Sequence, residues 1–312
     1  MKILITGCAG YIGSMLSTAL TTSHPNDEIV GVDNLMFGQQ SLGHLARYNN
    51  FEFIKADVAN FDNVINLLRE KGSFDYIFPL AALVGAKMCD TNPTLARETN
   101  YMHVCDLATY QPDAHIIYPN TNSGYGVGGE DFCTEKSPLN PISIYGRTKC
   151  DAESALLKRG NSTIFRLATV FGPSYRFRQD LLVNDFVARA YYDKFIVLFE
   201  ANFRRNYIGV EDVVSAFEYA MDKNRLETGV YNLGLSEANL TKMELCSIIR
   251  EQVPEFVIKE DEFAKDPDKR DYIVSNDKLE KTGFITQVPI KMGIKQLIRF
   301  YSSLPRKQFT NV

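Results

Sequence analysis

The chain has 312 residues, 45% hydrophobic and 23% charged, with a formal net charge of −4. That is ordinary globular composition, enough for two domains or for one large sheet domain with an appended lobe. The acidic balance argues against duplex nucleic acid as a partner, and no apolar run approaches the ~20 residues that span a bilayer.

The six cysteines (Cys8, Cys89, Cys105, Cys133, Cys150, Cys246) form no C-x-x-C pair, and the four histidines show no zinc spacing. Free thiols in a reducing cytoplasm are expected, with no metal. Residues 1–6 are apolar but run straight into a glycine turn, unlike a secretory signal, so a cytoplasmic protein is expected.

In chain order, Lys2–Thr6 reads as a buried strand and residues 11–20 as a helix entered through glycines. Strands follow at Glu28–Asp33 and 51–56, then a helix over 61–70 with Val64, Ile65, Leu67 and Leu68 at helical spacing. A fourth strand is expected at 76–80, a long helix over 95–109 and a strand at 115–118. A helix starting near Tyr145 and a strand at 163–167 complete this half. Such alternation builds an α/β fold: a Rossmann-type, doubly wound parallel sheet covered on both faces.

Beyond Arg166 the rhythm loosens. Helices are expected at 181–192 and 210–221, with strands at Phe195–Phe199 and 230–233. A further helix runs from Thr241 to the break at Pro254. The last helix carries Ile290, Ile294, Leu297, Ile298 and Tyr301 along one stripe. Residues 1–170 are therefore read as a dinucleotide-binding domain. Residues 171–312 are read as a smaller mixed α/β lobe for substrate, part of which crosses back to the first domain.

Thr6-Gly7-Cys8-Ala9-Gly10-Tyr11-Ile12-Gly13 lies between a strand and a helix. Glycines there permit a tight turn and close approach of backbone to a pyrophosphate, and the helix N-terminus then faces the phosphates. Any strand-to-helix turn can use glycine, but an acid also stands at the right distance. Asp33 ends the second strand, twenty residues past Gly13. A carboxylate there accepts from both ribose hydroxyls and repels a 2′-phosphate, which predicts NAD rather than NADP. Asp57, at the end of the third strand, is placed either for adenine or as a cap for the helix after it. Leu80, Ala81 and Ala82 either let backbone approach the nicotinamide ribose or simply pack.

Tyr145 and Lys149 fall one helical turn apart on one face. Bringing a phenol from its reference pKa of about 10 to near 7 takes about 4 kcal/mol in favour of phenolate, and an adjacent ammonium works in that direction. The pair is common by chance. It gains weight from the dinucleotide turn and from Tyr118-Pro119-Asn120-Thr121-Asn122-Ser123-Gly124-Tyr125-Gly126.

These residues resemble the extended short-chain dehydrogenase/reductases of the NAD-dependent nucleotide-sugar epimerase/dehydratase family, from Met1 to about Tyr301. The resemblance rests on the glycine turn, Val32-Asp33-Asn34-Leu35, Leu80-Ala81-Ala82, Asn100 and Tyr125-Gly126. It continues through Pro141-Ile142-Ser143-Ile144-Tyr145-Gly146, Arg166-Leu167 and Arg205-Asn206-Tyr207-Ile208. It implies that Tyr145 is the acid/base, that Lys149 holds the nicotinamide ribose, and that Thr121 polarises the reacting hydroxyl, with Ser123 as second choice. It implies NAD contacts at Gly7, Gly10, Tyr11, Ile12, Gly13, Asp33, Asn34, Asp57, Val58, Leu80, Ala81, Ala82 and Asn100. Asn184, Arg205 and Arg270 are implied for the nucleotide diphosphate, and Arg176 and Arg178 either reach the sugar or are solvated.

The implied chemistry is oxidation of a nucleotide sugar at carbon 4. The 4,6-dehydratases of the family carry an acidic pair directly after the Ser/Thr, where this chain has Asn122 and Ser123. An epimerase or a 4-dehydrogenase is therefore expected, with a dehydratase or a silent NAD-binding sensor as alternatives. Sensors usually lose the Tyr or Lys, and both stand here. Segments 166–172, 180–186, 195–199 and 266–272 are most similar to a bacterial surface-polysaccharide subgroup that includes a GDP-heptose 4-dehydrogenase. The family also implies a homodimer through helices 95–109 and 145–157, with Met102, Leu107, Leu156 and Leu157 as apolar candidates.

Overall fold

The computed structural model describes residues 1–127, 131–261 and 271–306. β1 (Lys2–Thr6), α1 (Tyr11–Ser23), β2 (Glu28–Asp33), β3 (Phe51–Lys55), α2 (Phe61–Lys71) and β4 (Tyr76–Pro79) open the chain. α3 (Ala86–Thr91), α4 (Pro93–Arg97) and α5 (His103–Tyr110) lead to β5 (His115–Thr121). After β6 (Phe132–Cys133) come α6 (Ile144–Arg159), β7 (Ser162–Leu167) and β8 (Thr169–Phe171). α7 (Leu182–Ala188), β9 (Phe195–Phe199), β10 (Arg204–Gly209), α8 (Val210–Ala220) and β11 (Gly229–Leu233) follow. The chain closes with β12 (Asn239–Thr241), α9 (Lys242–Gln252), β13 (Val257–Asp261), β14 (Ile273–Val274), α10 (Asp277–Glu280) and α11 (Ile290–Ser302).

Strand side chains alternate between faces, so a strand buried on both must be apolar throughout. In β1, Ile3 and Ile5 join one core with Leu16 and Leu20 of α1 and Val213 and Phe217 of α8. Leu4 points into the opposite core with Leu67 of α2, Leu107 of α5 and Leu156 of α6. The result is a seven-stranded parallel sheet in the order β11-β7-β5-β4-β1-β2-β3, with helices on both faces. This is the Rossmann-like α/β architecture read from the sequence. α8 and β11 lie past residue 171, yet α8 packs into this core and β11 pairs with β7.

A second core gathers Phe171, Val183, Val187, Ile196, Tyr207, Leu245, Ile294 and Leu297. Around it stand the three-stranded sheet β12-β10-β8 and the pair β13-β9. The order of β1, β4, β5 and β7 leaves their C-terminal ends beside the second core, and the cleft opens there.

One expected helix carries a bulge. The helix read over 95–109 is present and unbroken, starting at Pro93 and passing through a π turn at Glu98–Met102 between α4 and α5. A π turn holds one extra residue and rotates the helix downstream of it, and such turns recur at functional sites. Here it turns Asn100 inward. A helix over 181–192 likewise passes into a π turn at Arg189–Asp193. Among the described residues no helix is long and apolar enough to cross a membrane, and no cluster of His, Cys, Asp or Glu could hold a metal. All six cysteines are free.

Candidate active site

The strand ends open on a cleft of about 1190 Å³. Its first wall is the glycine turn. Gly7 has φ +74°, and a Cβ on Gly13 would lie 2.0 Å from the Gly7 carbonyl oxygen, so neither position accepts a side chain. The turn delivers the chain into α1, whose first intrahelical bond is Ser14 N–H to Gly10 O at 2.9 Å. Among the described residues no side chain caps this helix, and its first turn carries no acid. The N–H groups of Tyr11, Ile12 and Gly13 are thus the unclosed end of a 13-residue helix, and these residues line the cleft. Such an end suits an anion.

Asp33 stands at the end of β2, 8% exposed. One carboxylate oxygen accepts from Ala9 N–H at 3.1 Å; the other accepts from Leu35 N–H at 2.8 Å and Gln39 Nε2 at 3.1 Å. Burial raises its pKa, and these donors oppose the rise. Three bonds leave acceptor capacity facing the cleft, as a ribose diol needs. Asn34, Asp57, Val58, Leu80, Ala81 and Ala82 also line it. Asp57 does not cap α2. Asn60 does, accepting from the N–H groups of Asp62 and Asn63, while Asp57 accepts from Ala59 N–H.

Two expected contact residues act at one remove. Asn100, 1% exposed, lies behind the cleft wall: its Oδ1 accepts from Leu83 N–H at 2.8 Å and its Nδ2 donates to Leu83 O at 3.0 Å. Asn184 is fully buried, accepting from Gly172 N–H and donating to the Arg178 carbonyl. Asn100 Nδ2 also donates to Thr148 Oγ1 at 3.2 Å, and neither amide is among the residues lining the cleft. Tyr11 lines the cleft, but its hydroxyl is tied to Gly172 O at 2.7 Å, and burial raises its pKa.

The second wall is α6. Ser143 caps it, its Oγ accepting from Gly146 N–H, and Gly146 lets the first turn press on Pro141, where a Cβ would come within 2.9 Å. Tyr145 is half-buried and lines the cleft. One turn on, Lys149 is 3% exposed, with Nζ 4.0 Å from the centre of the Tyr118 ring. Burial lowers its pKa to about 7, although Cys150 and Cys89 pull the other way.

Across from α6, Thr121 and Ser123 line the cleft. Thr121 Oγ1 donates to Ser123 Oγ at 2.9 Å and accepts from Ser123 N–H at 3.1 Å. Asn122 between them is 1% exposed and lies outside the lining.

The far wall comes from the second core. Arg205 on β10 is 1% exposed and faces the cleft. Arg176 and Arg178 line it too, with Arg178 paired to Asp180. Arg270 falls outside the described residues. The sequence reading missed Lys87 and Asp90 on α3, because that helix was not expected, and it missed Gln39 as a support for Asp33.

Of the expected dimer residues, Leu107 and Leu156 are fully buried in their own core. Met102 and Leu157 are exposed, at 43% and 48%.

A phosphate-ready helix end, a ribose-ready acid and a Tyr/Lys helix meet in one cleft. The sequence profile of the NAD dependent epimerase/dehydratase family matches residues 3–234. The chain belongs to that family. NAD is its cofactor. The dTDP-D-glucose 4,6-dehydratase of Homo sapiens is 26% identical, over 99% of this chain and 91% of the relative. Among solved structures, the dTDP-glucose 4,6-dehydratase of Bacillus anthracis in complex with NAD superposes with a TM-score of 0.83. It is 22% identical, covering 99% of this chain and 98% of that one. The UDP-glucose 4-epimerase of Thermotoga maritima, solved with UDP-glucose, gives 0.84 at 24% identity over 97% and 99%. At these identities the superpositions speak for the fold alone.

Proposed function

We propose that this protein uses NAD to oxidise carbon 4 of a nucleotide-diphosphate sugar and retains the 6-oxygen, yielding a 4-keto sugar or a 4-epimer. The carrying observation is the pair of hydroxyls, Thr121 and Ser123, on the cleft wall facing α6, with the amide of Asn122 buried between them.

Tyr145 removes the proton of the 4-hydroxyl. NAD supplies the acceptor for the hydride that leaves carbon 4. Lys149 favours the phenolate of Tyr145 by charge and reaches the nicotinamide ribose; Thr121, or Ser123 beside it, orients the reacting hydroxyl. Gly7, Gly10, Tyr11, Ile12 and Gly13 receive the pyrophosphate, Asp33 and Asn34 the adenosine ribose, Asp57 and Val58 the adenine. Leu80, Ala81 and Ala82 flank the nicotinamide end. Arg205 takes the sugar-linked diphosphate, with Arg270 as its expected companion; a buried guanidinium suits a phosphate because it donates in a planar fork.

Elimination of a 6-hydroxyl needs a proton donor beside it, and neither an amide nor an aliphatic hydroxyl has a suitable pKa. The likeness to a human 4,6-dehydratase favours dehydration as the competing outcome. A GDP-linked heptose or hexose of surface polysaccharide is the substrate suggested by the subgroup resemblance. Exposed Met102 and Leu157 support a homodimer through the helical segments 95–109 and 145–157.

The test mixes NAD-loaded protein with UDP-, dTDP-, GDP- and CDP-sugars and follows absorbance near 340 nm and product mass. A product 18 Da lighter, or no reaction with any sugar, overturns the proposal.

A further inference from the structure

α6 carries a third polar residue on the stripe that holds Tyr145 and Lys149. Glu153 follows Lys149 by one more turn, 2% exposed, and neither the cofactor nor the sugar half of the cleft includes it. Its carboxylate faces the end of β5. Oε2 accepts from Asn120 Nδ2 at 2.5 Å and from Arg166 Nε at 3.1 Å, and Oε1 accepts from Arg166 Nη2 at 2.6 Å. Arg166, 4% exposed on β7, also donates to the Tyr125 hydroxyl at 3.0 Å, and that hydroxyl donates to Asn232 Oδ1 on β11 at 2.6 Å.

The chemistry of these groups fixes their orientation. A carboxylate can only accept, so Asn120 must turn its NH₂ to Glu153 and its oxygen the other way. That oxygen accepts from the N–H of Thr121 at 2.8 Å. Arg166 in turn holds Glu153 through a two-pronged contact, which leaves the carboxylate one orientation. The hydroxyl-bearing end of β5 is thus tied to the helix that presents the phenol.

We infer that Asn120, Glu153 and Arg166 form a buried positioning relay that sets Thr121 at its working distance from Tyr145. The inference rests on the roles proposed above for Thr121 and Tyr145. Glu153 and Arg166 lie behind the cleft wall, while Asn120 reaches its lining beside Thr121; in the proposed role all three act through Thr121. A helix and a strand end joined only by apolar packing can slide by tenths of an ångström, and misplacement by about 1 Å costs on the order of a hundredfold in rate. Charged, directional bonds remove that freedom.

The test reverses the polarity of the relay. Glu153→Gln and Asn120→Asp are made singly and together, each as NAD-loaded protein. In the double variant the amide introduced on α6 donates to the carboxylate introduced on β5. The second oxygen of that carboxylate still accepts from Thr121 N–H, and the total charge is unchanged. Turnover is measured with the nucleotide sugar that reacts in the panel above, per bound NAD. Each single variant is expected to lose at least tenfold in kcat, with KM and NAD content within about twofold of wild type. The double variant restores the link to the Thr121 strand but keeps only one of the two Arg166 contacts, because Arg166 Nε then faces an amide NH₂, so it is expected to run at least threefold faster than either single without reaching wild type. Loss of folding alone would lower NAD content and leave kcat per bound NAD untouched.

Single variants with wild-type kcat overturn the relay, as does a folded, NAD-loaded double variant no faster than the slower single. If the singles do not accumulate, an NAD-loaded double variant that does accumulate supports the relay, and one that does not overturns it. A Tyr145→Phe control separates the failures. If that control still turns over, the assignment of Tyr145 is wrong. If it is dead beside wild-type singles, only the relay is wrong.

Discussion

Burial penalises the charge on Lys149, and removing that charge should release the cost. In an unfolded chain it titrates at 10.5; in the fold, burial brings it to about 7. The unfolded state therefore binds the extra proton between pH 7 and 10.5, and the folded state does not, so wild-type stability rises with pH across that window. At pH 7 and below the penalty is complete. At about 1.4 kcal/mol per pKa unit it amounts to ~4–5 kcal/mol, and the contact with the Tyr118 ring returns ~1–2 kcal/mol. Lys149→Met keeps the stem and deletes the charge. The NAD-free variant should therefore be more stable at pH 6–7 by about 2–4 kcal/mol, or ~3–6 °C in Tm. By pH 9 the gap should narrow to about half, because the folded wild type has by then shed the proton and only the unfolded chain still gains from holding it. Urea or thermal unfolding of both proteins at pH 6, 7.5 and 9 measures this, and the variant should be inactive throughout. A less stable variant, or a gap that does not change with pH, would refute the electrostatic reasoning.

Tyr145→Phe should abolish turnover while leaving NAD affinity within about threefold, since only the proton acceptor is lost; residual activity within tenfold of wild type would sink the assignment. Asp33→Ser should cost NAD affinity and reduce the preference over NADP by at least about tenfold, read by calorimetry, because ribose acceptors and phosphate repulsion leave together. Gly13→Ala should purify without NAD, since its methyl would meet the Gly7 carbonyl at 2.0 Å; a normal cofactor content counts against the turn geometry. Arg205→Met should raise KM for the nucleotide sugar about tenfold or more with little change in NAD binding. An unchanged KM would remove Arg205 from the diphosphate site.

The parallel sheet was legible because strands buried on both faces must be apolar throughout. β1, β2 and β9 fall on the bounds read from the sequence, and β3, β4 and β7 within a residue or two. β10 was missed as a strand. Its residues Arg205 and Asn206 are polar yet about 1% exposed, Arg205 facing the cleft and Asn206 bonded to the Leu235 carbonyl, so the segment opens without an apolar pattern. The 95–109 helix was legible but its π bulge was not, because a π turn has no distinct periodicity; here it turns Asn100 onto the Leu83 backbone. In the candidate site, spacing brought out the glycine turn, Asp33 and the Tyr145/Lys149 pair because each depends on neighbours in sequence. Asn184, expected at the diphosphate, sits buried and bonded to the Gly172 N–H and the Arg178 carbonyl. Glu153, Asn120 and Arg166 lie on three separate elements, and only the fold brings them together.

The mass of the sugar product tests the central claim most directly. NAD-loaded protein is incubated with the nucleotide sugar it accepts, and the product is weighed by mass spectrometry and followed by proton spectrum. The expected result is a product 2 Da lighter, for net oxidation, or one of unchanged mass with an altered spectrum, for epimerisation at carbon 4. A loss of 18 Da would mean dehydration and would contradict the reading of positions 121–123.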